Sequence, residues 1–196
     1  MTPLIVATTN EDKIREIRAL LSGARVEVRT LADLPRVPPP EEDGATFAEN
    51  ARLKALYYAR LSPELTVAED SGLEIDALRG APGTHSARYG GPGSTYPEKF
   101  ALIARALASA ADRSRAARFV CALALARGDR VLFEARGTVD GEIAPEPKGQ
   151  GGFGYDPIFF YPPFGMTLAE AGARKHSVSH RANAFRQLRT YLEGIV

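Results

Sequence analysis

Leu65-Thr66-Val67-Ala68-Glu69-Asp70-Ser71-Gly72 opens as a buried strand and closes on two adjacent carboxylates and a turn residue. Open α/β sheets gather ligands beyond the C-terminal ends of their strands, so a strand over 65–68 would deliver Glu69 to Gly72 into a site. Adjacent carboxylates repel one another and seldom recur without a cation or a proton to share. Hard Mg²⁺ takes such oxygen ligands, commonly one or two carboxylates together with substrate phosphate. Read alone, the same four residues also describe an ordinary turn with two exposed acids.

Working outward, Leu4 to Ala7 is another short apolar run of strand type. Ile14, Ile17, Leu20 and Leu21 follow at helical spacing, so the chain opens strand, turn, helix. Thr46 with Glu49 three residues later is a capping box that starts a helix with Phe47, Ala51, Ala55 and Tyr58 on one face. Thr95 and Glu98 repeat that signal ahead of a helix ending near Ala108, and two strands joined around Gly128-Asp129 follow. From Pro145 to Gly165 the chain is rich in Gly and Pro yet too aromatic for a plain linker. Ala182, Phe185, Leu188 and Leu192 mark the apolar face of a last helix.

The 196 residues suffice for one sizeable core and predict a single domain over 1–196, in two lobes. Hydrophobic residues make up 44% and charged residues 25%, as in an ordinary globular protein. Lys and Arg number 25 against 24 Asp and Glu, which gives no general positive field for nucleic acid or an anionic membrane; a bound polyanion should be small. The single cysteine, Cys121, sits in an apolar run and is expected to pack as a small hydrophobe in a reducing compartment. No apolar stretch approaches the ~18 residues of a membrane span, and Glu11 and Asp12 arrive before any signal-peptide pattern develops, so a cytoplasmic location is expected.

Three further groups carry chemistry. In the turn Thr8-Thr9-Asn10-Glu11-Asp12-Lys13, helix-start N–H groups with Thr8, Asn10 and Lys13 suit a phosphate, though Asn10 and Lys13 equally describe a helix cap and a solvated charge. Gly149 to Pro157 sets Phe153 and Tyr155 on a glycine-rich loop, suited either to stacking a flat base or to plugging a core. Lys175, His176, His180 and Arg181 gather donors suited to an electron-rich oxygen. No Cys/His metal pattern, P-loop or Gly-x-Ser-x-Gly elbow occurs.

Taken in order, these segments resemble the inosine/xanthosine triphosphate pyrophosphatase family. The likeness runs from Leu4 to about Leu192. It is carried by Thr8-Thr9-Asn10 with Lys13 and Glu16; Glu41-Glu42-Asp43-Gly44 with Thr46 to Ala51 and Lys54; Glu69 to Leu73; Gly80 to Gly83; Ser86 to Tyr89; Gly152 to Pro157; and Ser179-His180-Arg181. The resemblance implies an α/β fold, an elongated mixed sheet in two lobes flanked by helices with a nucleotide cleft between them, and a homodimer. It implies hydrolysis of dITP/ITP and XTP/dXTP to a monophosphate and pyrophosphate, with Mg²⁺ as cofactor. The triphosphate would lie on Thr8, Thr9, Asn10, Glu11, Asp12, Lys13 and Lys54. Glu41 and Asp70 would hold Mg²⁺ with support from Glu69, Glu42 being the alternative to Glu41. Asp70 would activate water and Ser71 touch substrate. Phe153, Gly154, Tyr155 and Asp156 would embrace the base, and Lys175, His180 and Arg181 read its oxygen edge. Rival readings are a Maf-type pyrophosphatase acting on other nucleotides and a nucleotide-binding module without turnover.

Overall fold

A computed structural model describes residues 1–195. The chain opens with β1 (Thr2–Val6), α1 (Glu11–Leu20) and β2 (Val26–Thr30), and β2 lies parallel to β1 with Thr2 opposite Val26. Asn10 begins α1 by accepting hydrogen bonds from the backbone N–H groups of Asp12 and Lys13 through its side-chain oxygen. Glu11 and Asp12 then occupy the first turn, the end of the helix where negative charge is favoured. β2 is absent from the sequence reading because Val-Glu-Val-Arg-Thr has only two apolar residues, one side of an edge strand.

The helix α2 (Phe47–Ala59) begins as its capping box predicts. Glu49 N–H reaches Thr46 Oγ1, and Glu49 Oε2 accepts from Thr46 N–H. The next strand differs from expectation. β3 runs Leu65–Ile75, so Glu69 and Asp70 lie inside a strand and not in a turn at its end. Leu73 and Ile75 continue the buried pattern beyond the acids, and Gly72 lets the backbone approach the turn at 83–88; a Cβ there would stand 2.4 Å from Ser86 Oγ. The strand is therefore extended by residues that look like turn formers.

After α3 (Tyr96–Ser109) come β4 (Ala116–Arg127) and β5 (Arg130–Ile143), joined at Gly128-Asp129 as predicted. Two short strands, β6 (Phe159–Tyr161) and β7 (Met166–Thr167), emerge from the aromatic segment. The chain closes with α4 (Lys175–Val178) and α5 (His180–Glu193). Among the described residues the sheet has seven strands in the order β2-β1-β3-β4-β5-β6-β7; β1 is parallel to β2 and β3, while β5/β6 and β6/β7 are antiparallel, so it is mixed.

The residues divide into two compact units, each with its own core. Among the described residues, the first comprises 1–70, 121–137 and 180–195; the second comprises 71–120 and 138–179. In the first, Leu4, Val6, Ile17, Leu65, Val67, Leu123, Leu125, Phe185 and Leu188 pack together. In the second, Leu73, Ile75, Ile103, Phe119, Ile158, Phe159 and Leu168 do so, with Phe119 stacked on Phe159 at 4.4 Å.

Candidate active site

In the first unit, α1, α2, β3 and the start of α5 bring charged side chains together at low exposure. Glu69, 3% exposed, receives Lys13 Nζ at 2.9 Å and both Nε and Nη2 of Arg181, at 3.3 and 3.1 Å. Arg181 Nη1 donates to Glu16, and Cys121 Sγ lies 3.4 Å from the other Glu69 oxygen. Burial alone pushes the Glu69 carboxyl up, but Arg181 and Lys13 outweigh it and hold the group well below the usual carboxylate range. Burial and the neighbouring Glu69 charge push the Cys121 thiol up, so it sits there as a neutral donor.

Asp70, next along β3, faces a different set. Its Oδ2 accepts from Asn50 Nδ2 at 3.0 Å, and its Oδ1 lies 3.9 Å from Lys54 Nζ, which also pairs with Glu42 at 3.0 Å. Burial raises the Asp70 pKa, against the opposing pull of Lys54, Asn50 and Lys13. Two neighbouring carboxylates are thus pushed in opposite directions: Glu69 is locked in its charged form by two cations, while Asp70 is made more basic. A more basic carboxylate is the one suited to taking a proton from water.

Glu16, Glu42, Glu69 and Asp70 face Lys13, Lys54 and Arg181. Asp70 and Glu42, oxygen donors that share Lys54, fit a hard divalent cation. Among the described residues no group of three or more His, Cys, Asp or Glu side chains converges for a metal. Glu42, not Glu41, is the neighbour that shares Lys54 with Asp70; Glu41 is exposed. Thr8 accepts from Asn10 N–H at 3.2 Å, while Thr9, Asn10 and Glu11 are exposed at the start of α1. Asp12 pairs with Arg15 at 2.9 Å.

The second unit holds the other predicted group. Asp156 Oδ2 accepts from Phe153 N–H at 2.8 Å and from Lys175 Nζ at 2.7 Å, and Lys175 lies over the Phe153 ring at 4.8 Å. Gly152, at φ +69°, admits this carboxylate; a Cβ would stand 2.1 Å from Asp156 Oδ2. Phe153 and Gly154 are partly exposed, whereas the Tyr155 ring is buried edge-on to Tyr96 with its hydroxyl donated to the Ser86 carbonyl at 2.7 Å. Burial, with Tyr96 and Tyr89 nearby, pushes the Tyr155 hydroxyl far above its ordinary value, so it stays a donor. Ser71 begins the second unit's part of β3, half-buried.

The structure therefore brings Lys13, Lys54, Glu69, Asp70 and Arg181 into one cluster and Phe153, Asp156 and Lys175 into another. The other two residues of the expected base-reading set, His180 and Arg181, open α5. Arg181, 1% exposed, is held between Glu69 and Glu16, and His180, 6% exposed, lies at the first turn of α5 in the first unit. Two residues of the cluster carried no assigned role in the sequence. Glu16 signals itself as an acid among Ile14 and Ile17 on the buried side of α1, and Asn50 as an amide three residues after Phe47 on the buried face of α2.

A family model described as the Ham1 family matches residues 4–191. The dITP/XTP pyrophosphatase of Geobacillus kaustophilus is 45% identical over 197 residues, covering 100% of this chain and 97% of that protein. That of Gloeobacter violaceus is 48% identical over 189 residues, covering 94% and 91%. Among solved structures, a HAM1 protein from Coxiella burnetii superimposes with a TM-score of 0.92 at 39% identity, over 99% of this chain and 100% of that one. With its sequence matched almost end to end and its mixed sheet shared, the chain belongs to the Ham1 family.

Proposed function

We propose that this chain is a nucleoside triphosphate pyrophosphohydrolase that converts dITP/ITP and XTP/dXTP to the monophosphate and pyrophosphate, removing deaminated purines from the precursor pool. The observation that carries the reading is the pairing of unlike carboxylates on β3, Glu69 locked by Lys13 and Arg181 and Asp70 made more basic beside Asn50 and Lys54. The end-to-end likeness to dITP/XTP pyrophosphatases supplies the substrate class.

In this reading Asp70 takes the proton of the attacking water as the anhydride between the α- and β-phosphates opens. Lys13 and Lys54, with the helix start at Thr8 to Asp12, hold the triphosphate and meet the negative charge that grows on departing pyrophosphate. Asp70 and Glu42, the alternative to Glu41, would hold Mg²⁺ with support from Glu69; the bound ion would neutralise phosphate charge and assist the leaving group. Glu69 keeps Lys13 and Arg181 in place. Ser71 touches substrate where β3 leaves the first unit's residues.

Selectivity is assigned to the second cluster. Hypoxanthine and xanthine carry a carbonyl oxygen at the purine 6-position, where adenine carries an amino donor. Phe153 offers a ring face with Gly154 beside it, Tyr155 anchors the loop, and Lys175, oriented by Asp156, donates to the oxygen. Against adenine the donors meet a donor, a cost of ~1–3 kcal/mol per unpaired group and so about ten- to hundredfold per contact. His180 and Arg181 are further donors to that oxygen in this reading, with Arg181 oriented by Glu69 and Glu16. The enzyme acts as a cytoplasmic homodimer folded as a single domain; no helix among the described residues is long and apolar enough to cross a membrane. Replacing Asp70 with Asn should abolish turnover of inosine triphosphate while its binding, followed by calorimetry, persists; a near-normal rate would remove Asp70 as the base.

A further inference from the structure

We propose that Asn50 is a positioning residue that ties the acidic loop before α2 to the Asp70 carboxylate, so that Glu42 and Asp70 are held as one unit. The inference rests on the pyrophosphatase reading of this site and adds to it a residue that touches neither phosphate nor base.

Asn50 is 1% exposed and both ends of its amide are committed. Its oxygen accepts the Gly44 backbone N–H at 2.9 Å, and its nitrogen donates to Asp70 Oδ2 at 3.0 Å. A backbone N–H only donates and an ionised carboxylate only accepts, so a single orientation of the amide satisfies both. The side chain is therefore a rigid bridge from loop to strand. Its own position is set by local sequence: the Thr46/Glu49 capping box starts α2, and Asn50 N–H closes the first helical turn on Thr46 O at 3.1 Å.

The loop end is equally specified. A Cβ on Gly44 would stand 2.7 Å from Asn50 Oδ1 and 2.8 Å from Glu49 Cβ, so only glycine lets the backbone approach the amide. Two residues before Gly44, Glu42 meets Lys54, which faces Asp70 from α2. Elsewhere the loop is held by Tyr57, whose hydroxyl donates to Pro38 O at 2.7 Å; this contact fastens the loop without reaching Asp70.

Three single variants separate the contacts. Asn50→Asp keeps the volume and the acceptor for Gly44 but loses the donor to Asp70. Gly44→Ala keeps the donor and displaces the acceptor. Tyr57→Phe loosens the loop alone. Asn50→Asp and Gly44→Ala should each lower kcat for inosine triphosphate about ten- to a hundredfold, with KM changed roughly threefold or less, and their double variant should lose far less than the product of the two effects. Tyr57→Phe should stay within about twofold of the parent rate. A parent-like kcat for Asn50→Asp, independent effects in the double variant, or an equal loss from Tyr57→Phe would overturn the proposal.

A second readout needs no turnover: hydrogen exchange at the Gly44 amide in the substrate-free protein, measured by NMR, should become at least about tenfold faster in Asn50→Ala. Unchanged exchange would remove the bridge whatever the kinetics. If the parent protein released no monophosphate from inosine triphosphate, the pyrophosphatase reading would fall, and the exchange result would still decide the bridge.

Discussion

Arg181 shows what a residue's environment adds to its identity. Its type and its place in Ser179-His180-Arg181 suggest a donor to a purine oxygen, and its guanidinium is enclosed with Glu69 and Glu16. Burial opposes its charge, and Glu69 and Glu16 more than restore it, so the side chain remains a cation. Removing Arg181 takes a buried cation away from two buried carboxylates, so Arg181→Ala should destabilise the fold by about 3–5 kcal/mol in denaturant titrations. A loss below about 1 kcal/mol would show the network to be dispensable. Glu42 presents the complementary case. Glu41 and Glu42 are indistinguishable as neighbours in sequence, but only Glu42 shares Lys54 with Asp70. Glu42→Gln should therefore weaken the Mg²⁺ dependence of turnover at least about tenfold and Glu41→Gln by little; the reverse order would return the assignment to Glu41. Such distinctions were not legible in the sequence because they depend on which side chain a loop turns inward.

Whole elements were more legible than their ends. The capping boxes at Thr46/Glu49 and Thr95/Glu98 announced α2 and α3 because a cap uses three or four consecutive residues and needs no distant partner. Thr46→Ala should cost about 0.5–2 kcal/mol, lowering Tm by roughly 2–4 °C for each kcal/mol, and calorimetry would check it. β3 was read only to Ala68 because acids, Ser71 and Gly72 resemble a turn, whereas the strand continues through them to Ile75. Its continuation depends on the turn at 83–88, whose Ser86 Oγ accepts Leu73 N–H at 2.9 Å, a contact distant in sequence. β2 escaped notice since pairing with β1, more than hydropathy, makes it a strand.

Across the molecule, the mixed sheet with flanking helices follows the architecture that the resemblance implied, and the near-balanced charge leaves local clusters to dominate electrostatics. β3, β4 and β5 each contribute residues to both compact units. Far-UV circular dichroism and tyrosine fluorescence should accordingly report one coincident denaturant transition, and separated midpoints would argue for independently folding parts. The Glu69 carboxyl is held well below its ordinary value of 4.5 in the folded chain. The unfolded chain therefore binds its proton first, so the associated stability is present above pH ~4.5 and is lost as pH falls through the folded value. Asp70, raised by burial, acts in the opposite sense, since the folded chain takes its proton before the unfolded one does. Glu69→Gln should flatten the acid limb of stability against pH, and an unaltered limb would show that Glu69 does not govern it.

Product analysis decides whether the α–β anhydride is the bond that opens. Purified protein is incubated with Mg²⁺ and, separately, inosine, xanthosine, adenosine and guanosine triphosphates, and monophosphate, diphosphate, pyrophosphate and phosphate are resolved. Monophosphate and pyrophosphate are expected from inosine and xanthosine triphosphates, with little product from the standard nucleotides. Diphosphate with phosphate, or binding without turnover, would contradict the pyrophosphatase reading.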